Sequence, residues 1–297
     1  MKRSFSGYLN AIASGAFYGA IPVVTLFISR SGSIPSTFSV MVRMLIGAVL
    51  LLPFALPRLK KSRLTGKFVC QIFLASVLMT VTSILLYTAY QRIPSGVAIA
   101  LHYTYPLIVM CLNVLLFGVR VDRRVVLAML LSIGGVVLLC DLSVLGERAI
   151  SGIVISLISA CTFSAYLLFL DRQKMSGGDS LVFTTLLSIF ETLLYGVFNL
   201  AADCFFVPVN AYIVSVIGLG GLISVLAILT QILAVRQAGS VVTSILSTLE
   251  PIVCAIGSAL VLREAISART VLGTALVLAA VILVTLQGRG KAAAKEN

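Results

Sequence analysis

The sequence at residues 249–284 reads LEPIVCAIGSALVLREAISARTVLGTALVLAAVILV. This stretch is apolar almost throughout, yet a glutamate and a proline stand together near its start. A shift of 145 residues lays residues 250–284 over YPLIVMCLNVLLFGVRVDRRVVLAMLLSIGGVVLL at residues 105–139, with Pro106 over Pro251 and no gap. Because the register continues along both stretches, we infer that the chain contains two copies of one unit.

The composition indicates a membrane protein. Of the 297 residues, 60% are hydrophobic and 11% are charged, whereas about 25% of the residues of a soluble domain are charged. A helix needs about 20 apolar residues to cross a bilayer. Ten stretches satisfy this requirement, and we predict an all-α integral membrane protein with ten transmembrane helices: 7–28, 36–57, 68–91, 94–118, 124–141, 150–170, 180–202, 211–236, 239–262 and 268–287.

The basic residues predict the orientation of these helices. With the N-terminus in the cytoplasm, 16 of the 22 Lys and Arg residues fall on the cytoplasmic side and 5 outside, while Arg43 lies within a span. The positive-inside rule therefore predicts that both termini are cytoplasmic, in a multi-pass protein of the plasma (inner) membrane. The densest basic run, at residues 58–67, is typical of a loop beside anionic lipid and does not indicate binding to nucleic acid.

The two copies divide the chain at residues 1–145 and 146–290, with a cytoplasmic tail at 291–297. Each copy holds five predicted spans. Since five is odd, the second copy enters the membrane from the opposite side, so the copies have inverted topology. Such repeats are typical of secondary transporters, whose substrate site lies near the midplane between the repeats. The sequence thus predicts a central cavity and transport by alternating access.

With these features the sequence resembles the EamA-type transporters of the drug/metabolite transporter superfamily. The resemblance rests on ten helices in two five-helix copies, a proline in the fourth helix of each copy, the LEP start at residues 249–251 and the LRE motif at residues 262–264. The first copy departs from this pattern, because Gly118 and Val119 replace the Arg-Glu pair. The resemblance implies a transporter of amino acids, purine metabolites, drugs or other small solutes, most often an exporter.

Titratable residues inside the spans are candidates for the site, because charge in lipid is costly and faces the bundle interior. Glu250 lies ~16 Å into its span, on one face with Thr243 and Ser247. Its carboxyl group is a candidate for carrying a proton or for binding a substrate ammonium group. The alternative is an interhelical hydrogen bond.

The fourth span offers His102, Tyr105 and Asn113, which share one helical face, whereas Tyr103 falls on another. His102 is a second candidate for proton coupling, or it donates to a substrate carboxylate. A packed, hydrogen-bonded histidine is the alternative. Tyr105 combines an aromatic face with a hydroxyl group, which suits an amphipathic or cationic solute.

Further binding candidates are Arg43, Glu191 and Gln231 in the second, seventh and eighth spans. Arg43 suits a carboxylate or a phosphate as a bidentate partner. Alternatively, Arg43 and Glu191 form a buried pair. Helix breaks are expected at three prolines within spans, because proline removes a backbone donor: Pro22, Pro106 and Pro251.

Other functions fit the sequence less well. One histidine and six scattered cysteines without a C-x-x-C pair predict no metal and no cofactor. An exchanger of sugar phosphates or nucleotide sugars is an alternative, but it needs several cations and only Arg43 lies within a span. An intramembrane enzyme is less favoured because no catalytic spacing is visible. We expect a small-molecule substrate, contact with the lipid bilayer, no nucleic acid partner, and a monomer as a plausible state.

Overall fold

The computed structural model describes residues 5–31, 35–61, 65–93, 98, 101–118, 122–139, 149–172, 179–205, 211–262 and most of 268–283. The start of the span predicted at 94–118, parts of the span at 268–287, the tail at 291–297 and the Arg263–Glu264 motif lie outside the described residues. Within the described part every regular element is helical, so the prediction of an all-α protein is confirmed.

The helices follow the predicted spans closely. They are α1 Phe5–Ser31, α2 Ser36–Lys61, α3 Gly66–Tyr90, α4 Tyr105–Phe117, α5 Arg123–Leu139, α6 Ala149–Arg172, α7 Ser180–Ala201, α8 Ala211–Ala238, α9 Ser240–Leu246 and α10 Glu250–Leu262. A 3₁₀ turn, Ser247–Leu249, joins α9 to α10, and a short apolar helix occupies Val271–Ala280.

Five of the described helices are long and apolar enough to cross a membrane: Ser36–Leu59, Gly66–Tyr90, Ile150–Arg172, Ser180–Ala201 and Ile217–Ala238. The prediction of ten spans is thus confirmed in part. The shorter apolar helices Tyr105–Phe117 and Ser240–Val253 belong to spans that are interrupted near their middle.

The bundle carries apolar side chains on its outside and polar ones inside. Leu115, Ile150 and Leu260 are each at least 77% exposed, whereas Thr184 and Ser164 are fully buried. A soluble protein rarely exposes large apolar side chains in this density. The pattern fits a protein whose outer surface contacts lipid.

Helices from the two halves of the chain pack against one another, and α2 and α7 run antiparallel. At one end, the Thr37 hydroxyl donates to the Asn199 side-chain oxygen at 2.7 Å. At the other end, Arg58 forms an ion pair with Asp179 at 3.1 Å. The first half therefore lies beside the second along the full length of these two helices.

Equivalent glycines mediate equivalent contacts in the two halves. A Cβ atom at Gly7 would lie 2.8 Å from the Cβ atom of Gln237, and one at Gly152 would lie 3.2 Å from the Cβ atom of Arg92. The 145-residue shift maps Gly7 onto Gly152 and Arg92 onto Gln237. A larger side chain at Gly7 would push α1 away from the end of α8, and one at Gly152 would push α6 away from the turn after α3.

The same correspondence holds at the centre of the bundle. Gly19 of α1 packs directly against the main-chain carbonyl of Glu250. Ser164 of α6, its equivalent, donates from its hydroxyl to the carbonyl of Tyr105 at 3.2 Å. Tyr105 and Glu250 are themselves equivalent under the shift. The first helix of each half thus contacts the same point of the other half.

The fourth helix of each half is interrupted, and one of the three expected breaks is wrong. A turn at Tyr103 and Thr104 precedes α4, and the 3₁₀ turn precedes α10, so Pro106 and Pro251 are both second residues of a helix, where no donor is lost. Pro22 breaks nothing, because α1 is helical through that position. Transmembrane helices tolerate proline when neighbouring groups take up the freed carbonyl. The side chain of Pro22 lies outside the described residues.

The close approach of α1 to α10 predicts the effect of a small substitution. A Cβ atom at Gly19 would overlap the Glu250 carbonyl oxygen and lie 2.7 Å from the Cβ atom of Val253. Gly19→Ala should therefore lower the free energy of unfolding by about 1–3 kcal/mol, measured as a lower melting temperature in detergent. Gly134→Ala is the control, because a Cβ atom there meets nothing within 4 Å. Equal melting temperatures for the two variants would contradict the close approach.

Candidate functional site

A cavity of about 170 Å³ lies between the two halves. Its apolar lining is Ile21, Val40, Met44, Met79, Leu86, Phe163 and Ile228. Its polar lining is Tyr18, Arg43, Thr82, Ser83, Tyr87, Tyr90, His102, Tyr105, Glu191, Tyr195, Ser224, Gln231, Ser247 and Glu250. A concavity lined by apolar and aromatic side chains, on which polar groups converge, is typical of a small-molecule site.

Seven of the eight predicted binding residues line this cavity. They come from five of the predicted spans: Arg43, His102, Tyr105, Glu191, Gln231, Ser247 and Glu250. The fold therefore brings together residues that are more than 200 positions apart in sequence.

The cavity extends from the middle of the bundle toward one end. That end is formed by the start of α2, which contributes Val40, and by the end of α3, which contributes Tyr87 and Tyr90. The predicted orientation places this end on the outer side of the membrane. We call it the mouth end, and the opposite end the far end.

A guanidinium group and a carboxyl group face this cavity from different helices. Arg43 of α2 is 3% exposed and Glu191 of α7 is 2% exposed, so both are almost completely removed from solvent. Tyr195, one helical turn beyond Glu191, lies within electrostatic range of both. A buried charge is costly without an opposite charge or hydrogen bonds nearby. The direct pairing of Arg43 with Glu191 stays a prediction.

His102 is held in an aromatic cluster. Its ring centroid lies 5.5 Å from that of Tyr105 and 5.4 Å from that of Phe163. Its Nδ1 atom lies 2.6 Å from the Ser159 hydroxyl oxygen. Tyr105 and Phe163 meet edge to face at 4.7 Å. The histidine is therefore a packed, hydrogen-bonded ring that also borders the cavity. Its role in proton coupling or substrate binding stays a prediction.

Glu250 and Tyr105 each lie directly after a helix interruption and both line the cavity. The Tyr105 hydroxyl donates to the Ser244 carbonyl at 3.3 Å. The Tyr103 hydroxyl is close enough to the Glu250 carboxyl group for a side-chain interaction. Helical spacing assigned Tyr103 to another face. The cavity lining agrees with that assignment, because it includes His102 and Tyr105 but not Tyr103. Tyr103 interacts with Glu250 from the turn at Tyr103 and Thr104.

Asn113 is the predicted binding residue that does not line the cavity. Its amide nitrogen donates to the Ser240 hydroxyl oxygen at 3.2 Å, and its oxygen accepts from Arg172 Nη2 at 2.9 Å. It shares a helical face with Tyr105 but lies two turns, ~12 Å, further along α4. Its polar atoms are engaged at the far end.

Several lining residues were not singled out from the sequence. Ser83 of α3 and Ser224 of α8 carry hydroxyl groups, and Phe163 of α6 provides an aromatic face. A periodic signal existed for one of them, because Ser83, Tyr87 and Tyr90 follow helical spacings of four and three. Phe163 lies four residues after Ser159 on α6, but its neighbour His102 belongs to the other half.

The site is suited to binding a polar organic solute. Guanidinium, carboxyl, amide and hydroxyl groups converge on one space with aromatic walls. Within the described part of the chain, no three His, Cys, Asp or Glu side chains are grouped as metal ligands would be.

Comparison with known proteins identifies the family. The model of the EamA-like transporter family matches residues 5–140 and again residues 150–286. A solved crystal structure has the same fold, with a TM-score of 0.80 at 16% sequence identity over 96% of this chain and 98% of the other. No curated protein matches the sequence. Because two copies of the family model cover nearly the whole chain of this multi-pass membrane protein, it belongs to the EamA-like transporter family.

Proposed function

We propose that the protein is a secondary transporter that moves a small metabolite carrying both an amino and a carboxylate group, such as an amino acid, by alternating access. The observation that carries this proposal is the cavity in which Arg43 faces two carboxyl groups, Glu191 and Glu250, from different helices. A guanidinium group binds a carboxylate through two parallel hydrogen bonds. A carboxylate binds an ammonium group, and the aromatic wall receives the apolar part of the solute.

The packing of the helices supports two inverted halves. Under the 145-residue shift α2 corresponds to α7, and these two helices are antiparallel. A symmetry axis that relates antiparallel helices lies across them, in the plane of the membrane. The matching contacts of Gly7 and Gly152 agree with such an axis. A cavity between inverted halves can open to either side when the halves exchange their packing.

The proposed location is the plasma membrane and the proposed direction is export. The excess of basic residues on one side supports cytoplasmic termini in a plasma-membrane protein. Members of the family export small solutes more often than they import them. We therefore propose export from the cytoplasm through the mouth end.

Glu250 and His102 are the candidates for proton coupling. Both border the cavity, and both sit beside an interruption of a helix. Glu250 is near the Tyr103 hydroxyl, and His102 is near the Ser159 hydroxyl. Each therefore has a hydroxyl neighbour that can donate to its deprotonated form. An exchanger of sugar phosphates is disfavoured, because among the described lining residues Arg43 is the one Lys or Arg side chain.

The proposal is tested by counterflow in proteoliposomes that contain the purified protein. Amino acids, their amine analogues, purines and sugar phosphates are compared with and without a pH gradient. We expect exchange of at least one amino acid and no exchange of sugar phosphates. If no amino acid exchanges and a sugar phosphate does, the proposed substrate class is wrong.

Replacement of Arg43 should affect the carboxylate of the substrate selectively. Arg43→Gln is expected to raise KM for the amino acid about tenfold or more, because a hydrogen bond to a charged group is lost. KM for the amine analogue, which lacks the carboxylate, should change little. Arg58→Gln on the same helix is the control, because that side chain is 57% exposed at the far end. An equal rise in KM for the amino acid and for its amine analogue would show that Arg43 does not bind the carboxylate.

Replacement of Glu250 tests proton coupling. Glu250→Gln keeps the shape of the side chain but cannot release a proton, so the stimulation of transport by a pH gradient should disappear. The control is Asp203→Asn, a carboxyl group outside the cavity at a positive φ of 49° that asparagine also adopts. If the Glu250→Gln variant keeps its full response to the pH gradient, Glu250 is not the proton carrier, and the same comparison is then made with His102→Gln.

A further inference from the structure

Polar side chains from three helix ends meet at the far end of the bundle. They are Asn113 near the end of α4, Asp171 and Arg172 at the end of α6, and Ser240 at the start of α9. Asn113 and Ser240 are buried. We define these four residues as the far-end cluster.

Asp171 joins α6 to α9 through one carboxylate oxygen. This oxygen accepts from the Ser240 hydroxyl at 2.6 Å and from the Ser240 main-chain N–H at 3.1 Å. Hydrogen bonds to a charged group are about twice as strong as those between neutral groups. The contact also places a carboxylate at the start of a helix, where main-chain N–H groups lack partners.

Arg172 joins α6 to α4. Its guanidinium group donates to the Asn113 side-chain oxygen at 2.9 Å and stacks on the Phe117 ring at 3.6 Å from the centroid. Asn113 in turn donates to Ser240 at 3.2 Å. Two neighbouring residues of α6 therefore bind the half-helices α4 and α9, which come from different halves of the chain, and Asn113 completes the connection between them.

The sequence provides no matching cluster for the mouth end. The 145-residue shift carries Asp171 onto Leu26 and Arg172 onto Phe27. It carries Asn113 onto Ser258 and Ser240 onto Ser95. If the halves exchanged their packing, the four equivalent positions would come together at the mouth end as the far-end cluster does at the far end. Neither of the two charged groups is present at those positions.

We propose that the far-end cluster is a lock that holds the far end closed and makes the mouth-open state the resting state of the empty protein. This inference rests on the proposed alternating access. Closing the mouth and opening the far end breaks hydrogen bonds of the cluster, and the equivalent positions at the mouth end replace them with contacts of leucine, phenylalanine and serine. The two states therefore differ in free energy although they share one architecture.

The lock is tested by cysteine accessibility in the full chain with its six native cysteines replaced. One probe is Ser83→Cys in the cavity. The other is Thr243→Cys. Thr243 is fully buried and lies one helical turn from Ser240 toward Ser247, between the far-end cluster and the cavity. In detergent, a maleimide should label the cavity probe readily and the buried probe slowly.

Two substitutions remove the lock from different helices. Asp171→Leu introduces the residue of the equivalent position 26, and Asn113→Ser introduces that of position 258. Each should speed labelling of the buried probe about tenfold or more, because charge-assisted hydrogen bonds are lost, and should slow labelling of the cavity probe. Arg58→Gln breaks an exposed ion pair at the same end and should change neither rate.

The outcomes separate the lock from the proposed function. Unchanged labelling in both variants overturns the lock, and so does faster labelling of both probes, which indicates loosened packing. Counterflow by the unsubstituted protein reports on the proposed function independently of these rates. If the protein exchanges substrate but the rates do not shift in opposite directions, the lock is wrong and the transport proposal stands.

Discussion

The absence of hydrogen-bonding partners in hydrocarbon is the constraint on which this structure depends. Main-chain groups must be satisfied within the chain, so the described segments that cross the bundle are helical. Serine and threonine hydroxyl groups follow the same rule, because they donate to main-chain carbonyls of their own helix. Thr82 donates to the Leu78 carbonyl and Thr230 to the Leu226 carbonyl, each at 2.7 Å. Buried serines and threonines therefore do not by themselves indicate a site, whereas a buried arginine or glutamate does.

The helix interruptions occur where the cavity lies, and side chains use the carbonyl groups beside them. Tyr105 donates to the Ser244 carbonyl, and Ser164 donates to the Tyr105 carbonyl. Irregular backbone at membrane depth is tolerated where it is buried in protein or lines a cavity. Tyr105 and Glu250 lie directly after these two interruptions and both line the cavity, so the features that break the helices also contribute to the candidate site.

The sequence predicts most helices and most of the site, because both follow from local rules. Span length depends on bilayer thickness, and the burial of Arg43, Glu191 and Glu250 depends on the cost of charge in lipid. What the sequence does not predict concerns the depth of a residue along its helix and the position of backbone turns, neither of which a helical wheel shows. Asn113 shares a face with Tyr105 but lies at another depth, and periodicity does not reveal the turn at Tyr103 and Thr104. Contacts between halves, such as that of His102 with Ser159, depend on packing over long sequence distances.

Comparison of the two copies shows which side chains they share and which are specific to one copy. Glycines at equivalent positions keep the two halves packed in the same way, since Gly7 and Gly152 each allow a close helix contact. Equivalent positions with different side chains cannot have the same role. Tyr105 and Glu250 are one such pair, and because of this difference one half contributes a phenol and the other a carboxyl group to the cavity lining. Asp171 and Leu26 are another such pair, and the proposed lock at the far end rests on the difference between them. In a repeat protein, the positions where the copies disagree are therefore the first places to look for substrate recognition and for the choice of resting state.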